Sequence, residues 1–256
     1  MGDVIQFARY LPLAAARGGR VLFECPQPLL RLFQPFHQDI TIVAQGSTPP
    51  SFDLAVPLLD LPVLFDTTLE TIPPLLPNLA VEPALIAAWA SRLNRLSGPR
   101  IGLTWRGNPG FANDRNRSMT LAQLRPLIEG SAARFVSLQK GPAAVEIAEN
   151  GWQDRILHLG PELGDFADTA AVIAGLDLVI SVDTAVAHLA GSLRRPVWIL
   201  IPFVPDWRWL LGRSDSPWYP SARLFRQTIP GDWAGPVADM VTALGQVPPP
   251  EDRIRR

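Results

Sequence analysis

Along the second half of the chain, short apolar runs alternate with amphipathic stretches, the pattern of a parallel sheet covered by helices. The runs fall at 100–105, 134–138, 155–157, 177–181 and 196–201, with a weaker sixth at 222–225. Amphipathic stretches at 120–129, 143–150, 165–175, 184–192 and 233–244 separate or follow them. LVIS and VWILI are apolar at every or nearly every position, as strands buried between two helical layers are. The spacing predicts a doubly wound α/β domain.

The first half repeats this grammar less clearly. Apolar residues at helical spacing predict a helix over 4–17, strands at 20–23, 40–43 and 53–56, a short helix at 28–33 and a longer one at 83–96. Residues 45–50 and 57–77 are proline-rich and read as irregular connections, because proline removes a backbone donor. Ser97-Gly98-Pro99 is a plausible hinge, which gives an expected division into 1–97 and 98–256. The chain opens almost directly on a helix, so its first sheet is expected to lack an opening strand, or a preceding piece is missing.

Composition narrows the function classes. In 256 residues, 23 basic and 24 acidic side chains leave a net charge of −1, so no global positive field attracts nucleic acid. An anion site must therefore be local. The lone Cys25 excludes an internal disulfide and a cysteine-based zinc cluster, and fits a reducing, cytoplasmic setting. No apolar run reaches the ~18–20 residues of a membrane span. No two of the three histidines share ligand spacing, so a metal site is not expected. The 27 prolines and 8 tryptophans gather partly around Trp105, Trp207, Trp209 and Trp218, where they read as stiff loops with aromatic walls, suited to holding a sugar and equally suited to packing two domains.

Four constellations can carry chemistry. The run DLVISVDTAVAH passes from a strand into a helix at Asp183-Thr184, and the first turn of such a helix presents unpaired N–H groups to an anion. Thr184 and His188 are four apart and share a helical face. Asp183 can cap the helix or accept hydrogen bonds from sugar hydroxyls, and His188 can equally be a packing residue. A loop over 105–118 concentrates Arg106, Arg115 and Arg117 with Asn108, and arginine forks match phosphate bidentately. Lys140, in Ser137-Leu-Gln-Lys-Gly, can neutralise a diphosphate or simply face water. Asp3 at the head of the first helix is either a favourable charge on the helix dipole or a general base.

These residues together resemble a known family. SVDTAVAHLAGSLRRPVWIL is similar to the donor-site signature of the heptosyltransferase glycosyltransferases. WRGNP, NDRNRS, FVSLQKG and DWRWLLGRSDSPWYPSARLFRQ look like the catalytic region found behind tetratricopeptide repeats in bacterial proteins of the heptosyltransferase and O-linked GlcNAc transferase type. The resemblance implies a GT-B fold, two Rossmann-like domains facing a cleft, with a nucleotide-sugar donor on the C-terminal side. It implies no metal cofactor, because basic side chains and helix N-termini take the diphosphate charge. Asp183, Thr184 and His188 carry over as donor ligands, Arg117 as the phosphate-binding residue after the first strand, and Asp3 as the catalytic base. The chain departs from the pattern at Ala185, where a glycine is usual.

The expectation is thus a metal-independent glycosyltransferase that moves a sugar from a nucleotide diphosphate to an acceptor hydroxyl. Its site is expected at Asp3, Arg106, Asn108, Arg117, Lys140, Asp183, Thr184 and His188. The alternative is a shortened, non-catalytic module that binds a nucleotide-sugar or a partner.

Overall fold

The computed structural model describes residues 1–34, 39–76, 79 and 81–246. His37 lies outside them. Six parallel strands form the larger sheet: β3 (Arg100–Thr104), β4 (Arg134–Ser137), β5 (Ile156–His158), β6 (Leu178–Val182), β7 (Val197–Ile201) and β8 (Ala222–Arg226). A smaller sheet pairs β1 (Val21–Cys25) with β2 (Ile40–Ala44), also in parallel. In space the larger sheet runs β5-β4-β3-β6-β7-β8. Counted along this half of the chain, that is the doubly wound order 3-2-1-4-5-6, which reverses between β3 and β6.

The alternation of side chains distributes two cores. Val179 of β6 and Val197, Ile199 and Ile201 of β7 face one core, while Ile180, Val182, Trp198 and Leu200 face the other. The helices Arg125–Gly130 and Ala234–Gly245 close the second core. The first core is shared with the N-terminal half: Ile5, Phe7, Phe23 and Leu93 join Leu189 and Ala190 in one cluster. The polar seam beside it is ionic. Arg92 pairs with Glu162 through two bonds of 2.5 and 2.7 Å, Arg31 reaches Asp165 and Asp168, and the Trp89 indole donates to Asp168.

Local chemistry adjusts several expected elements. The helical run over 4–17 is a helix at Gly2–Phe7, a tighter 3₁₀ turn at Ala8–Tyr10 and a helix at Leu11–Ala16. Pro12 has no N–H for the i−4 carbonyl, so the turn before it tightens. Gly18, at φ +92°, then releases the chain toward β1. Pro126 likewise splits the stretch 120–129 into a 3₁₀ and an α-helical piece, and the stretch 143–150 is also a 3₁₀ turn followed by a short helix, opened by Pro142. The strand expected at 53–56 is absent: this segment pairs with no strand among the described residues, and Leu54 is 88% exposed. Apolar alternation alone does not make a strand where no neighbour supplies the hydrogen bonds.

Candidate functional site

The reversal of strand order brings the loops after β3 and β6 together at the carboxyl edge of the sheet. Their registers are locked, with Thr104 beside Ser181, so the chain leaves both strands side by side. A cavity of about 1430 Å³ opens there. All eight residues expected at the site line it: Asp3, Arg106, Asn108, Arg117, Lys140, Asp183, Thr184 and His188. Such a crevice is where open α/β sheets bind ligands.

The loop after β3 is held by side chains that position its cations. Gln139 Oε1 accepts from the backbone N–H groups of Trp105 (3.2 Å) and Arg106 (3.0 Å), stapling this loop to the one after β4. Glu146 takes Arg106 Nε at 2.8 Å through one oxygen and Leu121 N–H at 2.6 Å through the other. Arg117 Nε donates to Asp114 Oδ1 at 3.1 Å, and its guanidinium lies 4.4 Å from the centre of the Phe111 ring. Asp114 Oδ2 in turn accepts from Ser118, whose hydroxyl accepts from Gly107 N–H. Gly107 leaves room for this pair: a Cβ there would lie 2.3 Å from Asp114 Oδ1 and 2.7 Å from Arg117 Nη2 and would push both side chains aside. Asn108 is exposed and closes an Asx turn by accepting from Gly110 N–H at 3.0 Å. Lys140 reaches back to donate to the Leu163 carbonyl.

The loop after β6 ends on the helix Ala185–Ser192. Thr184, not Asp183, takes the N-cap position, and neither supplies a side-chain cap, because the Thr184 hydroxyl turns back to Ser181 Oγ at 2.9 Å. Ala185 and Val186, the first residues of the helix, line the cavity with the positive end of its dipole. Asp183 is 8% exposed. Burial raises its carboxyl above the ordinary carboxylate range, and the charges of Arg117 and Arg208 act against that rise.

His188 is enclosed. Its Nδ1 pairs with the Tyr219 hydroxyl at 2.8 Å and its ring stacks on Trp209 with centroids 5.4 Å apart. Burial, seconded by Arg208 and Arg9, brings the imidazole down to about 3, so it is neutral. Asp183 Oδ1 stands 3.8 Å from Nε2, longer than a hydrogen bond and without a charged partner. His188 is thus packed between Tyr219 and Trp209 and forms part of the cavity wall as well.

The N-terminal helix Gly2–Phe7 crosses the helix Ala185–Ser192 and completes the cavity. Their approach is tight: a Cβ on Gly2 would lie 2.7 Å from His188 Cδ2. Asp3 is half exposed and bonded through Oδ1 to Arg208 Nη2. Arg208, almost fully buried, also donates to Gln6 Oε1 at 2.6 Å and Asp206 Oδ1 at 2.8 Å. It stacks on Trp207, whose ring centroid is 4.9 Å from its guanidinium carbon.

Sequence reasoning did not single out Gln139, Glu146 or Arg208. The Asp-Trp-Arg-Trp run around Arg208 was a signal, because a cation between two tryptophans is suited to stacking. Nothing local marks Glu146, whose partners are 40 and 25 positions away. The expected aromatic wall is mostly a core: Trp105, Trp209 and Trp218 are buried in the two clusters, and of the four only Trp207 lines the cavity. Among the described residues no three of His, Cys, Asp and Glu gather as metal ligands, and no helix is long and apolar enough to cross a membrane.

Comparison with known proteins places these features. Residues 134–200 match the family model for glycosyltransferase family 9 (heptosyltransferase). Protein FlbA of Caulobacter vibrioides is 28% identical over 270 residues, covering 95% of this chain and 44% of that protein. The chain thus spans less than half the length of this curated relative. Among solved structures, ADP-heptose lps heptosyltransferase II of E. coli is 21% identical with a TM-score of 0.47, over 67% of this chain and 54% of that one. E. coli heptosyltransferase WaaC with ADP is 18% identical with a TM-score of 0.39, over 63% and 47%. The chain is a parallel α/β protein whose central segment, β4 to β7, matches the heptosyltransferase family model, which supports the heptosyltransferase side of the resemblance.

Proposed function

We propose that this chain is a glycosyltransferase domain that transfers a sugar from a nucleotide diphosphate donor to an acceptor hydroxyl, with the two sheets arranged as the halves of a GT-B enzyme. One observation carries the reading. The loops after β3, β4 and β6 bring Arg106, Arg117, Lys140 and a helix N-terminus around one cavity, with a carboxylate, Asp3, on another wall. In this reading the bond between the sugar's anomeric carbon and the diphosphate oxygen breaks as the acceptor oxygen attacks. The acceptor proton passes to Asp3, which Arg208 and the Gly2–Phe7 helix hold at the cavity. The charge left on the diphosphate is met by Arg106, Arg117, Lys140 and the dipole at Ala185, which take the role a metal ion fills elsewhere. Asp183 and Thr184 accept from donor hydroxyls, Asn108 shapes the loop they face, and His188 backs the wall.

Calorimetric titration with ADP-, UDP- and GDP-sugars tests the binding half. At least one is expected to bind, and Asp183→Ala to weaken it tenfold or more. No binding by any of them, with Asp183→Ala indistinguishable from the parent, refutes the donor site. Two contacts favour a second reading, a non-catalytic nucleotide-sugar-binding module: Asp3 is engaged by Arg208, and Lys140 by the Leu163 carbonyl. Release of nucleoside diphosphate from the bound donor by the parent and by Asp3→Asn separates the two. Equal rates remove Asp3 from the chemistry.

A further inference from the structure

The opening fold of the cavity is flanked by a strip of unusual composition. Between Arg31 and Arg92 the chain has no lysine or arginine, but it has six acidic residues, Asp39, Asp53, Asp60, Asp66, Glu70 and Glu82. All six are exposed. Within 52–70, Asp53, Asp60, Asp66 and Glu70 form no salt bridge among the described residues. The same strip exposes Phe52 (58%), Leu54 (88%), Val56 (49%), Leu59 (49%), Val63 (77%) and Leu64 (56%). Contiguous exposed apolar side chains of this size mark interaction surfaces more often than ordinary surface.

The strip is anchored beside the site. Leu59 lines the cavity with Asp3, and the 3₁₀ turn Leu58–Asp60 packs against the Gly2–Phe7 helix. Leu58 and Phe65 face inward to the core, Phe65 beneath the Arg17 guanidinium, and Thr67 accepts from the Tyr10 hydroxyl at 3.1 Å. Its inner residues therefore fix the strip while its apolar and acidic residues point away from the core. The two sides of the cavity differ in pairing: Arg106 and Arg117 are matched by Glu146 and Asp114, whereas Asp53, Asp60, Asp66 and Glu70 have no ion-pair partner among the described residues.

We propose that the strip 52–70 is the docking surface for the acceptor, and that the acceptor is a polypeptide segment carrying both basic and apolar side chains. This rests on the glycosyltransferase reading for the word acceptor only; the docking itself does not need a donor. Charge complementarity decides the occupant. A phosphorylated lipid or glycan would meet four carboxylates against one neighbouring cation, Arg17 over Phe65, whereas lysines or arginines spaced among apolar residues would pair with the carboxylates as Leu54 and Val63 are covered.

The probes are two labelled twelve-residue peptides of alternating leucine, one with lysine and one with glutamate, read by fluorescence anisotropy without donor. The lysine peptide is expected to bind at least tenfold more tightly than the glutamate peptide, and to weaken tenfold or more between 25 and 300 mM salt. The combined variant Asp53→Asn, Asp60→Asn, Asp66→Asn and Glu70→Gln is expected to lose that preference, and Leu54→Ser with Val63→Ser to weaken binding at unchanged salt dependence. Neutralising Asp154 and Asp239, both exposed and outside the strip, controls for general charge and is expected to change nothing. Equal binding of both peptides, retention by the four-carboxylate variant, tighter binding to anionic lipid vesicles, or a dimer dissolved by Leu54→Ser with Val63→Ser each overturns the proposal. Loss of nucleotide binding with peptide binding intact removes the glycosyltransferase reading and leaves the docking surface standing.

Discussion

Gly107→Ala separates the stability of the fold from the function of its site. The added methyl would lie 2.3 Å from Asp114 Oδ1 and 2.7 and 2.9 Å from Arg117 Nη2 and Nε. These are tips of side chains, so the backbone of β3 and its loop can stay where it is while the Asp114–Arg117 pair is displaced. The pair is partly exposed, at 13% and 17% of its side-chain surface, and joined at 3.1 Å. Loosening it costs up to about 1 kcal/mol of stability, which in a chain of this size is a fall in Tm of roughly 2–4 °C. Binding should suffer more. If Arg117 donates to a donor phosphate, losing one charge-assisted hydrogen bond costs about 1.5–3 kcal/mol. That weakens Kd by roughly 10- to 150-fold. Thermal unfolding and calorimetric titration with the best-binding nucleoside diphosphate measure the two effects on one preparation. Unchanged affinity in Gly107→Ala, beside a tenfold loss in Arg117→Ala, would show that Arg117 reaches its ligand without the shelf at Gly107. A fall in Tm of 10 °C or more would show that the loop is part of the fold's support.

Gly160→Ala should do the opposite: its Cβ would lie 2.0 Å from the backbone carbonyl oxygen of Gln139 and 2.7 Å from His158 Cε1, so main chain must move. A loss of about 1–3 kcal/mol in denaturant unfolding is expected, and unfolding identical to the parent would refute the steric argument. Acidification tests His188. Its folded value, about 3, lies below its ordinary 6.5, so from pH 6.5 down to about 3 the unfolded chain binds the extra proton and stability falls with falling pH. Raised Asp183 acts in the opposite sense, since its protonation on acidification relieves a buried charge. The His188 contribution alone is ~2 kcal/mol between pH 6.5 and 5, and His188→Gln should flatten that slope in urea unfolding at the two pH values; an equal slope assigns it elsewhere. Arg208→Met should increase amide exchange in residues 2–7 while leaving β7 protected, because it removes the donor to Asp3 and Gln6. Unaltered exchange would show that packing on the helix Ala185–Ser192 suffices.

Much of the second half was legible because its central strands β6 and β7 are buried on both faces and the breaks between elements carry glycines, prolines or caps. Runs 134–138, 177–181 and 196–201 correspond within a residue or so to β4, β6 and β7. The first half was less so. Its short helices at Leu58–Asp60 and Leu61–Leu64 sit inside a proline-rich segment that reads as loop, and its supposed strand at 53–56 has no neighbour. Trp105, Trp209 and Trp218 show the same limit, for apolar side chains beside a cleft and apolar side chains beneath it have one sequence signature.

What the sequence determined by itself was the alternation of buried strand and covering helix, and the residue types concentrated where strands end: Arg106 to Arg117 after one, Asp183-Thr184 after another. Those are local properties, since periodicity and capping act over a few residues. Strand order was not local. Only the sheet's reversal between β3 and β6 put Arg117 and Asp183 around one cavity, and only the packing of the first helix on His188 brought Asp3 to it. Arg208, buried 205 positions from the aspartate it holds, has one local acceptor in Asp206 and acquires the rest of its role from tertiary contact, because an enclosed guanidinium is stable only where the fold also delivers Asp3 and Gln6.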